Sequence, residues 1–239
     1  MKLGVIGGLG PMATACFLEM ITKMTEAQRD QDHLEILIHS APYIPDRTAF
    51  ILGRSKDNPV EPMLKIGKKL AKEVSCIAIP CITAHYFYKE LSENIPVPII
   101  HGIYETGLEL QKKGIKRAGL MATDGTIESR IFQDQLEKMG IEVLLPDERR
   151  QQDIMDVIYK DLKAGFPADM EKFQEVSLQL KDQGAQVILL GCTELSLIKK
   201  EVPLGKEYLD ALEVLAQRCV VRCGKKLNKE YENLLMREE

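Results

Sequence analysis

Short apolar runs alternate with longer amphipathic segments along the whole chain, and this alternation restricts the fold more than any other feature of the sequence. Runs such as LGVIG, CIAIP and VILLG are apolar on both faces and rich in β-branched residues, and LEILI departs from this only at Glu35. Strands buried on both sides and joined by helices make a parallel sheet with helices covering its two faces. The pattern predicts strands near 2–7, 34–39, 75–80, 98–101, 117–122, 141–145 and 186–191. Helices are expected over 11–28, 59–73, 83–93, 103–113, 126–139, 151–164 and 168–183, with a C-terminal one from about 206. Pro11 suits the first turn of its helix, where the N–H it lacks would have no partner.

The pattern also repeats. LGVIGGLGPMATACFLEM and AGLMATDGTIESRIFQDQ align Gly4 with Gly119, Gly10 with Gly125 and Phe17 with Phe132, 115 residues apart. The following strands, LEILI and IEVLL, set Glu35 against Glu142 at an offset of 107, and AIPCITAH and LLGCTEL set Cys81 against Cys192 at 111. Offsets that change so little over three elements predict a duplicated α/β unit: two similar flavodoxin-like parallel-sheet domains related by a pseudo-two-fold axis, with an active site in the cleft between them. We expect an N-terminal domain over 1–100, completed by the C-terminal helix 206–239, and a second domain over 101–205. A chain of 239 residues has room for both.

Several classes of function are disfavoured. The net charge is −4 and the basic residues are scattered, which gives no footprint for nucleic acid. At 45% hydrophobic and 28% charged residues the chain can bury a core and is not of the disordered class. The start, MKLGVIGGLGPMA, has glycines and a proline where a secretion signal needs an unbroken apolar stretch, and no run reaches the roughly 18 residues of a membrane span. A cytoplasmic location is expected. The six cysteines are neither dense nor in CxxC pairs, so free thiols are expected, and no metal. Cys219 and Cys223, four apart on a helix, read as buried packing because no histidine or second pair lies near them.

Cys81 and Cys192 follow corresponding apolar runs, at the carboxyl ends of strands where ligands gather in an open parallel sheet. If the two halves face each other, the thiols approach from opposite sides. That geometry suits inversion of a stereocentre, in which one group removes an α-hydrogen and the other delivers a proton to the opposite face. One sulfur must start as thiolate and the other as thiol, which a free-thiol pKa of about 8.5 makes accessible. Each cysteine is expected just before a helix N-terminus, whose partial positive charge favours the anion and whose amides can hold a carboxylate.

Plainer readings stand beside this one. A cysteine is most often simply buried. His85 could serve Cys81 as the base of an amidase-like nucleophile, or make a packing or capping bond. Gly8, Gly10 and Ala13 fit a loose GxGxxA dinucleotide fingerprint, but the strand LEILIHS ends in His39 and Ser40 without an acidic partner for a ribose. Those glycines then read as a tight turn beside the substrate. Glu194, two residues beyond Cys192, is a candidate proton relay or a helix cap.

In order along the chain, GVIGGLGPMAT, IPDRTAFILG, IPCITAHYFY, LMATDGTI, IYKDLKAG and ILLGCTELSL resemble the successive motifs of the aspartate racemase branch of the aspartate/glutamate racemase superfamily. The likeness extends to about residue 200. It implies a racemase of acidic amino acids that needs no cofactor, built from two similar domains and commonly a homodimer. It places Cys81 and Cys192 in the catalytic positions and Arg47 and Lys163 on the side-chain carboxylate of the substrate. It also puts Thr83, Thr126 and Thr193 at the substrate end, with Gly8 in the turn beside it. Ile82 stands where the family motif PCNTAH has a substrate-binding asparagine, and the segment from His39 to Tyr43 also departs from the family form. Both departures bear on which substrate is taken more than on the reaction.

Overall fold

The structure is a computed structural model that describes residues 1–205 and 207–235. Among these residues the strands form two all-parallel sheets. The first contains β1 (Lys2–Gly7), β2 (Glu35–Ser40) and β3 (Cys76–Ala78) in the order β2-β1-β3. The second contains β4 (Arg117–Met121), β5 (Glu142–Leu144), β6 (Val187–Leu190) and β7 (Tyr208–Asp210) in the order β5-β4-β6-β7. The sheet register carries the same offsets as the sequence repeat. Gly4 pairs with Leu37 and Ile77, whereas Gly119 pairs with Leu144 and Ile188, which gives 115, 107 and 111 again.

The helices are α1 (Pro11–Met24), α2 (Arg47–Ile51), α3 (Val60–Leu70), α4 (Tyr88–Asn94), α5 (Gly102–Lys112), α6 (Asp124–Glu128), α7 (Ile131–Glu137), α8 (Glu148–Asp156), α9 (Met170–Asp182), α10 (Leu195–Glu201) and α11 (Ala211–Arg222). Strand residues alternate between layers with the period of two that a pleated strand requires. Leu3, Val5, Cys76 and Ala78 of the first sheet, and Ala118, Leu120, Val187 and Leu189 of the second, share one core with α1, α5 and α11. Their neighbours turn outward: Ile6 and Ile77 toward α3 and α4, and Met121, Ile188 and Leu190 toward α8, α9 and α10. The repeat partners Phe17 and Phe132 are both fully buried in the shared layer, where each contributes about 1.5–3 kcal/mol. The two halves thus have separate outer cores and a common inner one.

Besides the unexpected α2 and the helix expected over 83–93, which opens as a 3₁₀ segment over Ile82–Phe87, four elements differ from expectation, each for a local reason. Residues 98–101 contribute only the bridge between Ile77 and Ile99, because Pro96 and Pro98 lack the N–H groups a ladder needs. The expected helix over 126–139 is two helices, α6 and α7, separated at Arg130, whose φ is 56°. The helix over 151–164 starts earlier, at Glu148, and widens into a π-helical turn over Val157–Leu162. The segment from 206 opens as strand β7 in the second sheet rather than as helix, and Asp210 then caps α11 by accepting from the Leu212 N–H at 2.8 Å.

Beyond Arg222 the tail is not a solvated helix. Leu227 bridges to Thr25, the Asn228 side chain donates to the Lys23 carbonyl, and Leu234 and Leu235 join the shared core. Residues 206 and 236–239 of the expected C-terminal helix lie outside the described residues. Among the described residues, no helix is long and apolar enough to cross a membrane.

Candidate active site

Loops at the carboxyl ends of both sheets meet in one cavity. Leu9 comes from the turn after β1, Asp46, Arg47 and Thr48 from the start of α2, and Cys81, Ile82 and Thr83 from the turn after β3. The second half supplies Thr123 after β4, Tyr159 and Lys163 from the π-helical turn and its end, and Cys192, Thr193 and Glu194 after β6. The two cysteines therefore face one space from opposite halves of the repeat. It is nearly closed, with about 10 Å³ of free volume, room for roughly one water.

Backbone fit sets the approach of the walls. Gly8 has φ +89°, and a Cβ there would lie 2.3 Å from the Ala41 backbone nitrogen, so no other residue can make the turn after β1. Across the halves, a Cβ on Gly125 would lie 2.8 Å from the Thr48 Cα. That close approach brings α2 against α6 and lets the Thr48 hydroxyl donate to Thr123 Oγ1 at 3.3 Å. Thr83, Thr123 and Thr126 complete a hydroxyl triangle with edges of 3.0–3.1 Å. Thr126 is fully buried and braces the other two from outside the cavity wall.

The charges are arranged unequally around the two sulfurs. Arg47 is buried, donates to the carbonyls of Ile44, Pro45 and Leu9 at 2.9–3.3 Å, and sets its positive charge against Cys81. Its Nε has no hydrogen-bond partner, a donor left over for an anion. Lys163 lies 4.0 Å over the Tyr159 ring and 3.8 Å from Asp46. Burial works against its charge, but Glu194, Cys192, Tyr159 and Asp46 outweigh that and raise its pKa.

Cys192 donates to Glu194 Oε2 at 2.9 Å, and the Thr193 hydroxyl donates to the same oxygen at 3.2 Å. Burial first, and the Glu194 charge second, push the Cys192 pKa well up, with Lys163 opposing. The expected helix N-termini are short: Cys81 precedes a six-residue 3₁₀ segment, and Cys192 precedes the seven-residue α10 by three positions. Side-chain charges, more than helix ends, surround the two thiols.

His85 has both ring nitrogens committed to the backbone. The Gly102 N–H donates to Nε2 at 3.0 Å, which leaves Nδ1 protonated to donate to the Cys81 carbonyl at 3.3 Å. Burial, and then the nearby His101, lower its pKa from 6.5 to about 4. The ring is a neutral strut under the Cys81 loop, not a base for its sulfur.

Because the folded value lies below the unfolded one, the unfolded chain binds more protons between them, and stability is lost as pH falls from about 6.5 toward 4. The size is about 3 kcal/mol. Urea unfolding at pH 7.5 and pH 5 should show wild type losing about 2 kcal/mol more than His85→Gln over that interval. Equal pH dependence in the two proteins would refute the role.

Of the residues singled out from sequence, Cys81, Cys192, Arg47, Lys163, Thr83, Thr193, Ile82 and Glu194 all line the cavity. Gly8 lies instead in an adjoining open groove with Gly10, Met12 and Pro42. Ile82 is 1% exposed and packs into the shared core as well as bordering the cavity. Asp46, Thr48, Thr123 and Tyr159 were not anticipated. The repeat held a signal for one of them, since an offset of 115 sets Thr123 on Gly8.

Comparison with known proteins adds a family to this geometry. The family model described as Asp/Glu/hydantoin racemase matches residues 6–219. The broad specificity amino-acid racemase RacX of Bacillus subtilis (strain 168) is 28% identical over 225 residues, which span 91% of this chain and 96% of that protein. The aspartate racemase of Picrophilus torridus has a structure similar to this one at a TM-score of 0.83 and 30% identity, covering 99% of this chain and 100% of that one. An aspartate racemase homologue from Pyrococcus horikoshii OT3 shares the fold at a TM-score of 0.76 and 21% identity, covering 94% of this chain and 99% of the other.

Proposed function

This chain belongs to the Asp/Glu/hydantoin racemase family and is an amino-acid racemase, and on that premise we propose that it interconverts L- and D-aspartate, with glutamate as a second substrate, by two-base proton transfer without a cofactor. The observation that carries this reading is the convergence of Cys81 and Cys192, from opposite halves of the repeat, on one cavity that also holds Arg47 and Lys163.

For turnover in one direction Cys81, beside Arg47, starts as the thiolate and Cys192, held by Glu194, as the thiol. Cys81 takes the α-proton from one face, and Cys192 delivers its proton to the other. The reverse reaction exchanges the roles. Negative charge developing on the α-carboxylate meets the hydroxyls of Thr83, Thr123 and Thr193, which turn from their partners in the closed cavity to donate to it. The free Arg47 Nε and the Lys163 ammonium receive the side-chain carboxylate, a planar donor and a point charge on one anion.

A cavity of about 10 Å³ cannot admit an amino acid as it stands. Substrate entry therefore requires the loops that close the cavity to move apart. Ile82, in place of an amide, leaves this part of the wall without a hydrogen-bond donor and makes substrate recognition depend more on the two cations. The same reading includes a cytoplasmic homodimer, divided at about residues 1–100 with α11, and 101–205 extended by β7.

Incubation of the enzyme with L- and D-aspartate in heavy water tests the reaction directly. Loss of optical activity from either enantiomer should be accompanied by one α-deuterium per inversion. Calorimetric binding of aspartate with no α-proton exchange would instead make the protein a dicarboxylate binder and discard the reading.

A further inference from the structure

Cys76 and Cys223 take no part in proton transfer at the active site, yet their sulfurs lie 3.8 Å apart although 147 residues separate them in the chain. Cys76 is the first residue of β3, at the end of the strand away from Cys81, and Cys223 closes the carboxyl end of α11. Both are free thiols, and both are buried.

A thin wall separates this pair from open space. Cys76 and Ser75 help to line a cavity of about 440 Å³, together with Tyr88, Ile100, His101 and Arg222. That cavity admits a small polar molecule beside Cys76, whereas the closed space between Cys81 and Cys192 has room for roughly one water.

The two sulfurs are also unequal. The bond from Cys76 favours the anion on Cys223 and brings its pKa down to about 7 against the effect of burial, while the same bond, and then burial, push Cys76 up. Cys223 is therefore the nucleophile and Cys76 holds the proton. Cys223 stands past the last helical turn of α11 and is followed by Gly224 at φ +77°. That end of the helix can yield the approach of about 1.8 Å that separates the present contact from the ~2.05 Å of a disulfide.

We propose that Cys76 and Cys223 are a modification site at which hydrogen peroxide makes a reversible disulfide that pins β3 to α11. The Cys223 thiolate attacks one peroxide oxygen, the O–O bond breaks, and hydroxide leaves and is protonated to water, so that Cys223 becomes a sulfenic acid. Cys76 then attacks the Cys223 sulfur. The S–S bond forms, the S–O bond breaks, and the departing oxygen takes up the Cys76 proton and leaves as a second water. The two thiols lose two electrons and two protons, and the peroxide is reduced to two waters. A thiol reductant reverses the change by exchange.

The position of the bond gives it an effect. α11 begins in the second half, where Asp210 ends β7 and its side chain accepts from Ser196 of α10 and from the Leu212 N–H. It ends against the first sheet, at Cys76. A disulfide there ties the first sheet to a helix anchored in the second, at the side opposite the cavity that opens for substrate. The oxidised protein is more stable and admits substrate more slowly. The second consequence rests on the proposed reaction, and the bond itself does not.

The experiment treats wild type, Cys76→Ala and Cys223→Ala with hydrogen peroxide and afterwards with dithiothreitol. In wild type, peptide mapping should show Cys76 joined to Cys223 with the loss of two hydrogens. The midpoint of urea unfolding should rise by about 1 M, and kcat/KM for aspartate should fall about fivefold or more. Dithiothreitol should reverse all three. Neither variant should show the linked peptide or the rise. The same mapping on protein carrying both Cys81→Ala and Cys192→Ala removes the active-site thiols as competing targets.

Folded protein in which peroxide leaves Cys76 and Cys223 unlinked, or links Cys76 to Cys219, would overturn the site. Linkage with kcat/KM falling no further than in peroxide-treated Cys76→Ala would overturn the pinning. Failure of the racemase reading is separable, because untreated wild type would then show no α-proton exchange, while the mapping and unfolding measurements need no activity.

Discussion

Replacing Cys81 or Cys192 with alanine will reduce aspartate racemisation by about 10²–10⁴-fold in each case. Both side chains are buried at 7% and 5% exposure, but each borders the cavity on one side, so a truncation costs little packing compared with a change deep in the shared core. Circular dichroism and the midpoint of urea unfolding should therefore stay close to wild type. The two variants should differ in a way that a structural defect cannot imitate. With Cys192 gone, Cys81 can still remove an α-proton from one enantiomer and return solvent deuterium to the same face. With Cys81 gone, Cys192 serves the opposite enantiomer. Deuterium washes into one enantiomer without inversion in the first variant and into the other in the second. Inversion at the wild-type rate by either variant would eliminate the two-base mechanism.

That pair was legible because the chain states it twice. A single cysteine after an apolar run carries almost no information, since burial is its usual fate, but Cys81 and Cys192 occur at the offset shown by the strands that carry them. The register Gly4–Ile77 and Gly119–Ile188 displays the same 111 residues in hydrogen bonds. The fourth position of each sheet was misread in both halves, and for opposite reasons. Ile99 follows two prolines, Pro96 and Pro98, that remove ladder donors, so an apolar stretch becomes a bridge and no more. Tyr208–Asp210 is only three residues long and leads straight into a helix, so the longer period concealed the strand.

The site divides along similar lines. Arg47 and Lys163 came from motif likeness, because nothing in local periodicity distinguishes a cavity cation from a surface one. Thr123 and Tyr159 were missed since their roles are set by tertiary approach. Thr123 meets Thr48 only because Gly125 lets two helices touch, and Tyr159 reaches Asp46 at 3.4 Å only because the backbone widens over Val157–Leu162. Insertions of a π turn are found often at functional positions, and they leave no periodic trace strong enough to read.

Arg47 is the residue whose replacement should separate substrate recognition from the chemistry. Its guanidinium is held by three backbone carbonyls and keeps one buried N–H free. Arg47→Gln retains a donor for part of that carbonyl cradle but removes the buried charge. Losing one partner of a desolvated, hydrogen-bonded charge pair costs about 2–5 kcal/mol. The expected fall in kcat/KM for aspartate is therefore about 10²–10³-fold. Lys163→Met should cost less, about tenfold, because Lys163 adds a point charge and already shares it with Asp46 at 3.8 Å. Alanine, which has no side-chain carboxylate, supplies the control through α-deuterium exchange in long incubations. If Arg47 grips the side chain, Arg47→Gln reduces exchange of alanine far less than of aspartate, and the ratio between the two substrates collapses. If both fall equally, the charge of Arg47 serves Cys81 and not the substrate, and the assignment to the side-chain carboxylate is wrong. Since Ile82 offers that wall no donor, a dicarboxylate preference has only the two cations to rest on, and this comparison measures it.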